Sequence, residues 1–167
     1  MSSQAPYRVL CVCLGNICRS PTAEVVLRQH CEAENLPIVI DSAGTSNYHP
    51  GKAPDSRSQQ HAKLRRYDLS SLRARQVTLH DFLDFDLMLA MDHDNLRDLA
   101  VLSEQAKAEF GRVRAQLALM SEHDPNYLKQ AVPDPYYGGK EGFEQVLDQC
   151  ESSSRAWVNY FQQRSKV

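Results

Sequence analysis

The stretch from Arg8 to Glu24 constrains this chain most. Arg8-Val-Leu-Cys-Val-Cys13 is a short apolar run rich in β-branched residues and bounded by polar sequence, the pattern of a strand buried on both faces. It passes through Gly15 and Asn16, which accept left-handed backbone conformations, into Ser20-Pro21-Thr22-Ala23-Glu24. There Ser20 suits an N-cap and Pro21 the first helical position, with Val25, Val26 and Leu27 as the buried stripe of a helix reaching about Glu34. A doubly buried strand leading directly into a helix is the opening of an α/β fold, because its next sheet partner must be reached by a crossover.

The rest of the chain repeats this rhythm. Pro37–Ser42 and Phe85–Met91 read as further buried strands, and Val113–Met120 contains a fourth. Gly44–Asp55, with two glycines and two prolines, reads as loop. Helices are predicted over Ser56–Arg66, from Thr78, from Asp94 through Leu102 and after a break to Phe110, and over Phe143–Gln162. Ser121–Gly142, carrying Pro125, Pro133 and Pro135, reads as a long loop. The expectation is a single α/β domain over residues 1–167, with a four-stranded parallel sheet, helices on both faces and right-handed crossovers. Ligands of such sheets sit at the carboxyl ends of the strands, so chemistry is expected in the loop after the first strand.

Composition removes several classes of function. A formal net charge of −2 offers no footprint for nucleic acid or an anionic membrane, and Arg65, Arg66, Arg73 and Arg75 read as solvated charges. No segment approaches the ~18 apolar residues of a membrane span, and the run Val9–Leu14 is too short for a signal-peptide core. Five cysteines, Cys11, Cys13, Cys18, Cys31 and Cys150, are an odd number and no disulfide framework. A reducing compartment, the cytoplasm, is expected. Cys11, Cys13 and Cys18 lack a second Cys or His segment to complete a metal site, and the six histidines form no HxxxH pair, so neither metal nor cofactor is expected.

The loop itself has the parts of an anion cradle. Between strand end and helix start, Leu14, Gly15, Asn16, Ile17, Cys18, Arg19 and Ser20 present backbone N–H groups to one point, supplemented by the positive end of the helix. Arg19 adds a planar fork matched to two phosphate oxygens. Cys13 sits at the base of that cradle, where a positive field favours the thiolate, the nucleophilic form. A buried strand cysteine and a surface arginine would be the plain reading of either residue alone. Their coincidence with a Gly-Asn turn and a Ser-Pro helix start within nine residues points instead to phosphoryl transfer. Such a reaction needs a general acid for the leaving oxygen, and the late loop offers two Asp-Pro steps, Asp124-Pro125 and Asp134-Pro135. Both prolines stiffen the chain and extend the aspartate before them, so sequence physics barely separates the two, with Tyr136, Tyr137 and the flexible Gly138-Gly139 favouring the second.

CLGNICRSP, a Cys-x5-Arg-Ser near the N-terminus, resembles the signature of the low-molecular-weight protein tyrosine phosphatases. The resemblance continues in DSAGTS (Asp41–Ser46), ARQ (Ala74–Gln76), MDHDNLRDL (Met91–Leu99) and DPYYGG (Asp134–Gly139). It implies a four-stranded parallel sheet flanked by helices and hydrolysis of protein phosphotyrosine through a phosphocysteine intermediate. It also implies Asp134 as general acid and base, Tyr48, Tyr136 and Tyr137 as walls for the substrate ring, and Asn16, Ser20 and Ser42 as support for the loop and the Cys13 sulfur. Cys18 merely packs, or pairs with Cys13 in a reversible redox switch; spacing leaves this open and the resemblance favours the switch. Asp92 matches a family aspartate, but an exposed carboxylate at a helix start explains it equally well, and it is left outside the catalytic set. Leu72 stands where many relatives carry a histidine that braces the loop. Phosphotyrosine proteins are the expected partners and inorganic phosphate the product. Arsenate reduction would need two further cysteines in mid-chain, and none lies between Cys31 and Cys150. The alternatives kept are an arginine phosphatase, against which Ile17 and Tyr136-Tyr137 speak, and a catalytically idle phosphotyrosine-binding module.

Overall fold

The computed structural model describes residues 6–136 and 138–165. Its elements are β1 (Tyr7–Cys13), α1 (Arg19–Ala33), β2 (Ile38–Gly44), α2 (Ser56–Leu64), α3 (Asp81–Asp84), β3 (Leu87–Ala90), α4 (His93–Phe110), β4 (Gln116–Leu119) and α5 (Lys140–Ser165). The strands form one parallel sheet in the order β2-β1-β3-β4. Because β1 is central, the chain leaves it toward β2 on one side and later returns to β3 on the other. The carboxyl end of β1 is therefore the switch point at which a parallel sheet opens a crevice.

Alternation along β1 divides the core in two. Val9, Cys11 and Cys13 face a layer built from Val26 and Leu27 of α1 and Leu147, Trp157 and Phe161 of α5. Leu10 and Val12 face the opposite layer, with Phe82 of α3 and Leu99 and Ala106 of α4. Helices thus cover both faces, as expected. Each large apolar side chain taken fully out of water contributes about 1.5–3 kcal/mol, and β1 receives that on both faces. The strand that carries the loop is thus anchored from both layers.

Three local expectations are corrected. Ser20 is not the N-cap: α1 begins two residues earlier, at Arg19, with Cys18 at the cap position, which frees the Ser20 hydroxyl for the loop. The strand predicted to end at Ser42 continues through Gly44, which pairs opposite Cys13. The helix after Asp94 has no break. It runs unbroken from His93 to a left-handed Gly111 at φ 80°, because Leu99 and Ala106, seven residues apart, must share one buried face.

Candidate active site

Five residues separate the last residue of β1 from the first of α1, and they curl into a closed loop. Asn16 takes the left-handed conformation the turn requires, at φ 58°. Gly15 does not; a Cβ there would come within 3.1 Å of His49 Cδ2, a tight contact that the His49 side chain would have to relieve. Backbone N–H of Asn16 points back at Cys13 Sγ across 3.3 Å, and Ser20 Oγ lies 3.0 Å from the same sulfur. The Asn16 side chain, itself buried, donates to Ser20 Oγ at 2.8 Å and Ser42 Oγ at 3.0 Å and accepts from the Arg75 N–H at 3.0 Å. With Ser20 Oγ accepting from Asn16, its own proton is directed at the sulfur, since its other acceptor, Ala43 O, is at 3.5 Å.

The loop is also packed from outside. Gly44 passes so close that a Cβ would lie 2.6 Å from Leu14 O and 3.2 Å from Asn16 N. Ser42, whose hydroxyl donates to the buried carboxylate of Glu24 at 2.6 Å, extends the network a further layer. Burial raises the Glu24 pKa above the ordinary carboxylate value, partly offset by Ser42 and Arg28. Leu72 packs against the core, and Asn16 takes its third hydrogen bond from the Arg75 backbone, so the loop is braced without a histidine.

Arg19 is only 4% exposed. Its Nη1 donates to Asp92 Oδ2 at 2.7 Å and Val132 O at 3.1 Å, while Nη2 faces Asp134 Oδ2 at 3.8 Å. Burial opposes its charge, but Cys13, Asp92 and Asp134 around it outweigh that and raise its pKa. Asp92 does both things weighed for it. One oxygen caps α4 by accepting the Asn95 N–H at 2.7 Å, and the other holds Arg19 in place.

The two Asp-Pro steps separate completely. Asp134 is half-exposed, and its Oδ1 accepts the Tyr136 N–H at 3.0 Å. Asp124 is fully buried on the far side of the loop. Its carboxylate accepts from Ser152 and Ser153 hydroxyls, each at 2.7 Å, and from Asn126 and Tyr127 backbone N–H groups.

Cys13, Cys18, Arg19, Asp134, Tyr48 and Tyr136 all border one cavity of about 110 Å³, together with His49. Tyr48 is largely exposed at the rim, and the His49 ring lies 6.5 Å from Tyr48 and 6.3 Å from Tyr136. Tyr137 lies outside the described residues. His49 and Asp92 are the side chains that sequence reasoning missed or set aside. His49 carried no signal beyond adjacency to Tyr48, and Asp92 had its family match. A larger groove of about 600 Å³ runs along α2 past Gln59, Lys63 and Tyr67, but it contains no cysteine or histidine, so chemistry and not volume selects the smaller cavity. Cys18 is buried, and burial pushes its thiol up to about 12, so it stays protonated at neutral pH. Among the described residues no three His, Cys, Asp or Glu side chains stand close enough together to hold a metal ion.

Comparison with known proteins agrees with this geometry. Residues 8–167 match the family model described as low molecular weight phosphotyrosine protein phosphatase. The human low molecular weight phosphotyrosine protein phosphatase is 44% identical over 160 residues, 95% of this chain and 98% of that one. A protein tyrosine phosphatase from Entamoeba histolytica, solved with Hepes in its active site, superposes with a TM-score of 0.85 at 36% identity, covering 95% and 99% of the two chains. A Drosophila arginine phosphatase superposes with a TM-score of 0.85 at 29% identity, covering 92% and 97%. With the loop, its flanking strand and helix, and the late Asp-Pro loop all inside the matched region, the chain belongs to the low molecular weight phosphotyrosine protein phosphatase family.

Proposed function

We propose that the chain hydrolyses phosphotyrosine in proteins, with Cys13 as nucleophile, Arg19 as phosphate clamp and Asp134 as general acid and base. The observation that carries this is the convergence of those three side chains on one narrow cavity, with Asp134 Oδ2 facing Arg19 Nη2 at 3.8 Å across the space a phosphoryl group would fill. Backbone N–H groups of Leu14 to Ser20 and the guanidinium bind the phosphate oxygens. Cys13 Sγ attacks phosphorus while the tyrosyl oxygen departs with the Asp134 proton. Asp134, now a carboxylate, takes a proton from water as that water attacks the phosphocysteine. Inorganic phosphate leaves, and the thiolate that departs is stabilised by the Ser20 hydroxyl and Asn16 N–H.

The aromatic rim supports an aryl substrate. Tyr48 and Tyr136 offer flat faces to a ring standing on a phosphate bound at Cys13, and a shorter phosphoserine would not reach the buried sulfur. Asn16, Ser20 and Ser42 serve as support, and Cys13 and Cys18, both free and on the same cavity, form the reversible redox pair. Five buried free cysteines fit residence in the reducing cytoplasm. No helix among the described residues is long and apolar enough to cross a membrane.

The deciding experiment compares turnover of a phosphotyrosine peptide and a phosphoarginine peptide by the wild type and by Asp134→Ala. Phosphotyrosine is preferred, and Asp134→Ala lowers its turnover by roughly 10²- to 10⁴-fold, the contribution of a positioned acid. Preference for phosphoarginine would move the chain to that substrate. Binding of phosphotyrosine without turnover would make it a binding module.

A further inference from the structure

Asp134 sits on an exposed loop between Val132 and α5, yet a general acid must be held within a fraction of an ångström of the leaving oxygen. Its own contacts among the described residues do not do this. Oδ1 accepts the N–H two residues later, and Oδ2 faces Arg19 at 3.8 Å. The loop is secured by Arg57, the second residue of α2, which no step of the mechanism above uses.

Arg57 stands on a fixed base. Asp55 caps α2, accepting the Arg57 N–H at 2.8 Å, and also takes the guanidinium as a fork, from Nε at 3.0 Å and Nη2 at 2.9 Å. The Asp55 N–H in turn donates to Ile17 O at 2.8 Å, so the base is bolted to the phosphate-binding loop itself. The far end of the guanidinium reaches the acid loop. Nη2 donates to Tyr136 O at 3.0 Å, and the cation lies 5.6 Å from the Tyr136 ring and 4.9 Å from that of Phe143, in the first turns of α5. Phe143 is held from behind by the stacked ring of His61, 5.4 Å away. The result is one continuous strut: Ile17, Asp55, Arg57, Tyr136, Asp134.

We propose that Arg57 is a positioning residue for the general acid, fixing the distance between Asp134 and the phosphate-binding loop. The proposal rests on the reading of Asp134 as acid. It makes Asp134 effective without a hydrogen bond of its own to the phosphate-binding loop, and leaves Oδ2, facing the cavity and Arg19, for proton transfer. A residue that merely staples α2 to α5 would show its loss in stability and in every substrate alike. A strut shows it only where protonation of the leaving group limits the rate.

The test measures kcat/KM, which reports the steps up to release of the phenol and not the later hydrolysis, for phenyl phosphate, a poor leaving group, and dinitrophenyl phosphate, whose phenolate leaves unprotonated. Arg57→Met, which keeps the stem and loses the fork, lowers kcat/KM for phenyl phosphate by roughly 10-fold to 100-fold. It leaves dinitrophenyl phosphate near wild type. Arg57→Lys, retaining a cation over the rings and an ion pair to Asp55, recovers part of the loss. In an Asp134→Ala background Arg57→Met adds nothing further. An equal loss on both substrates, no loss on either, or a loss that persists without Asp134 would overturn the strut, provided Asp134→Ala itself shows the leaving-group penalty. An Asp134→Ala enzyme indifferent to the leaving group would overturn the acid reading, and the strut with it.

Discussion

Replacing Asp124 by alanine tests whether the two Asp-Pro steps do different jobs. Asp124 is fully buried and has four donors, the Ser152 and Ser153 hydroxyls at 2.7 Å and the backbone N–H groups of Asn126 and Tyr127 at 2.9 and 3.3 Å. It ties the start of the late loop to the middle of α5. Hydrogen bonds to a charged acceptor contribute about 1.5–3 kcal/mol each, but dehydration of the carboxylate offsets much of their sum. Donors left buried without a partner cost about 1–3 kcal/mol apiece. Of the four, Ser152 and Ser153 are the least able to reach water, since both are buried in the α5 face, and their loss sets a net cost of about 3–5 kcal/mol. In a domain of this size that lowers Tm by roughly 6–20 °C. The assay is thermal unfolding followed by circular dichroism, with kcat measured well below the new midpoint. Asp124→Ala should unfold early yet hydrolyse phenyl phosphate near the wild-type rate, and Asp134→Ala should do the reverse. Wild-type Tm with a large loss on poor leaving groups for Asp124→Ala would refute the assignment of both aspartates.

Two further outcomes follow from the same geometry. After inactivation by peroxide and treatment with a thiol reductant, the wild type should regain most of its activity and Cys18→Ala much less; a sulfenic acid at Cys13 then lacks the neighbouring thiol, and equal recovery would leave Cys18 as packing alone. Asp55→Asn probes the base of the strut through pH: the fork and N–H of Arg57 hold the Asp55 pKa below its ordinary 3.8, so its stabilisation is present above that value and is lost as pH falls below it. Wild type should therefore exceed Asp55→Asn in Tm at neutral pH and converge with it in acid, and a gap unchanged down to pH values below about 3 would show that the carboxylate charge is not what matters.

What could be read from the sequence was what is local. The strand, the turn and the helix start around Cys13 and Arg19 lie within a few residues of one another, and each position has its own conformational reason to be what it is. Asn16 illustrates the limit: its left-handed turn was legible, but its three hydrogen bonds reach Ser20, Ser42 and Arg75, the last 59 residues away. Asp92, 73 residues from the arginine it holds, looks identical in sequence to any helix cap, because it is one. Asp124 and Asp134 carry the same Asp-Pro signal in sequence, and what lies opposite separates them, α5 serines for one and the open cavity for the other. Ser20 was read as a cap because Ser-Pro starts many helices. A helix that starts two residues earlier, at Arg19, turns its hydroxyl to the sulfur instead. The break expected in α4 failed for a similar reason, since tertiary burial of Leu99 and Ala106 overrides local propensity.

Trapping the phosphoenzyme tests the central claim most directly. Asp134→Ala is mixed with dinitrophenyl phosphate, quenched within milliseconds to seconds and digested for peptide mass spectrometry. Its leaving group needs no acid, so the first step proceeds, while hydrolysis has lost its base and slows. The peptide carrying Cys13 should gain the mass of one phosphoryl group, in step with a burst of one dinitrophenolate per enzyme. Release of the phenolate with Cys13 unmodified, or with the phosphoryl group on another residue, would contradict it.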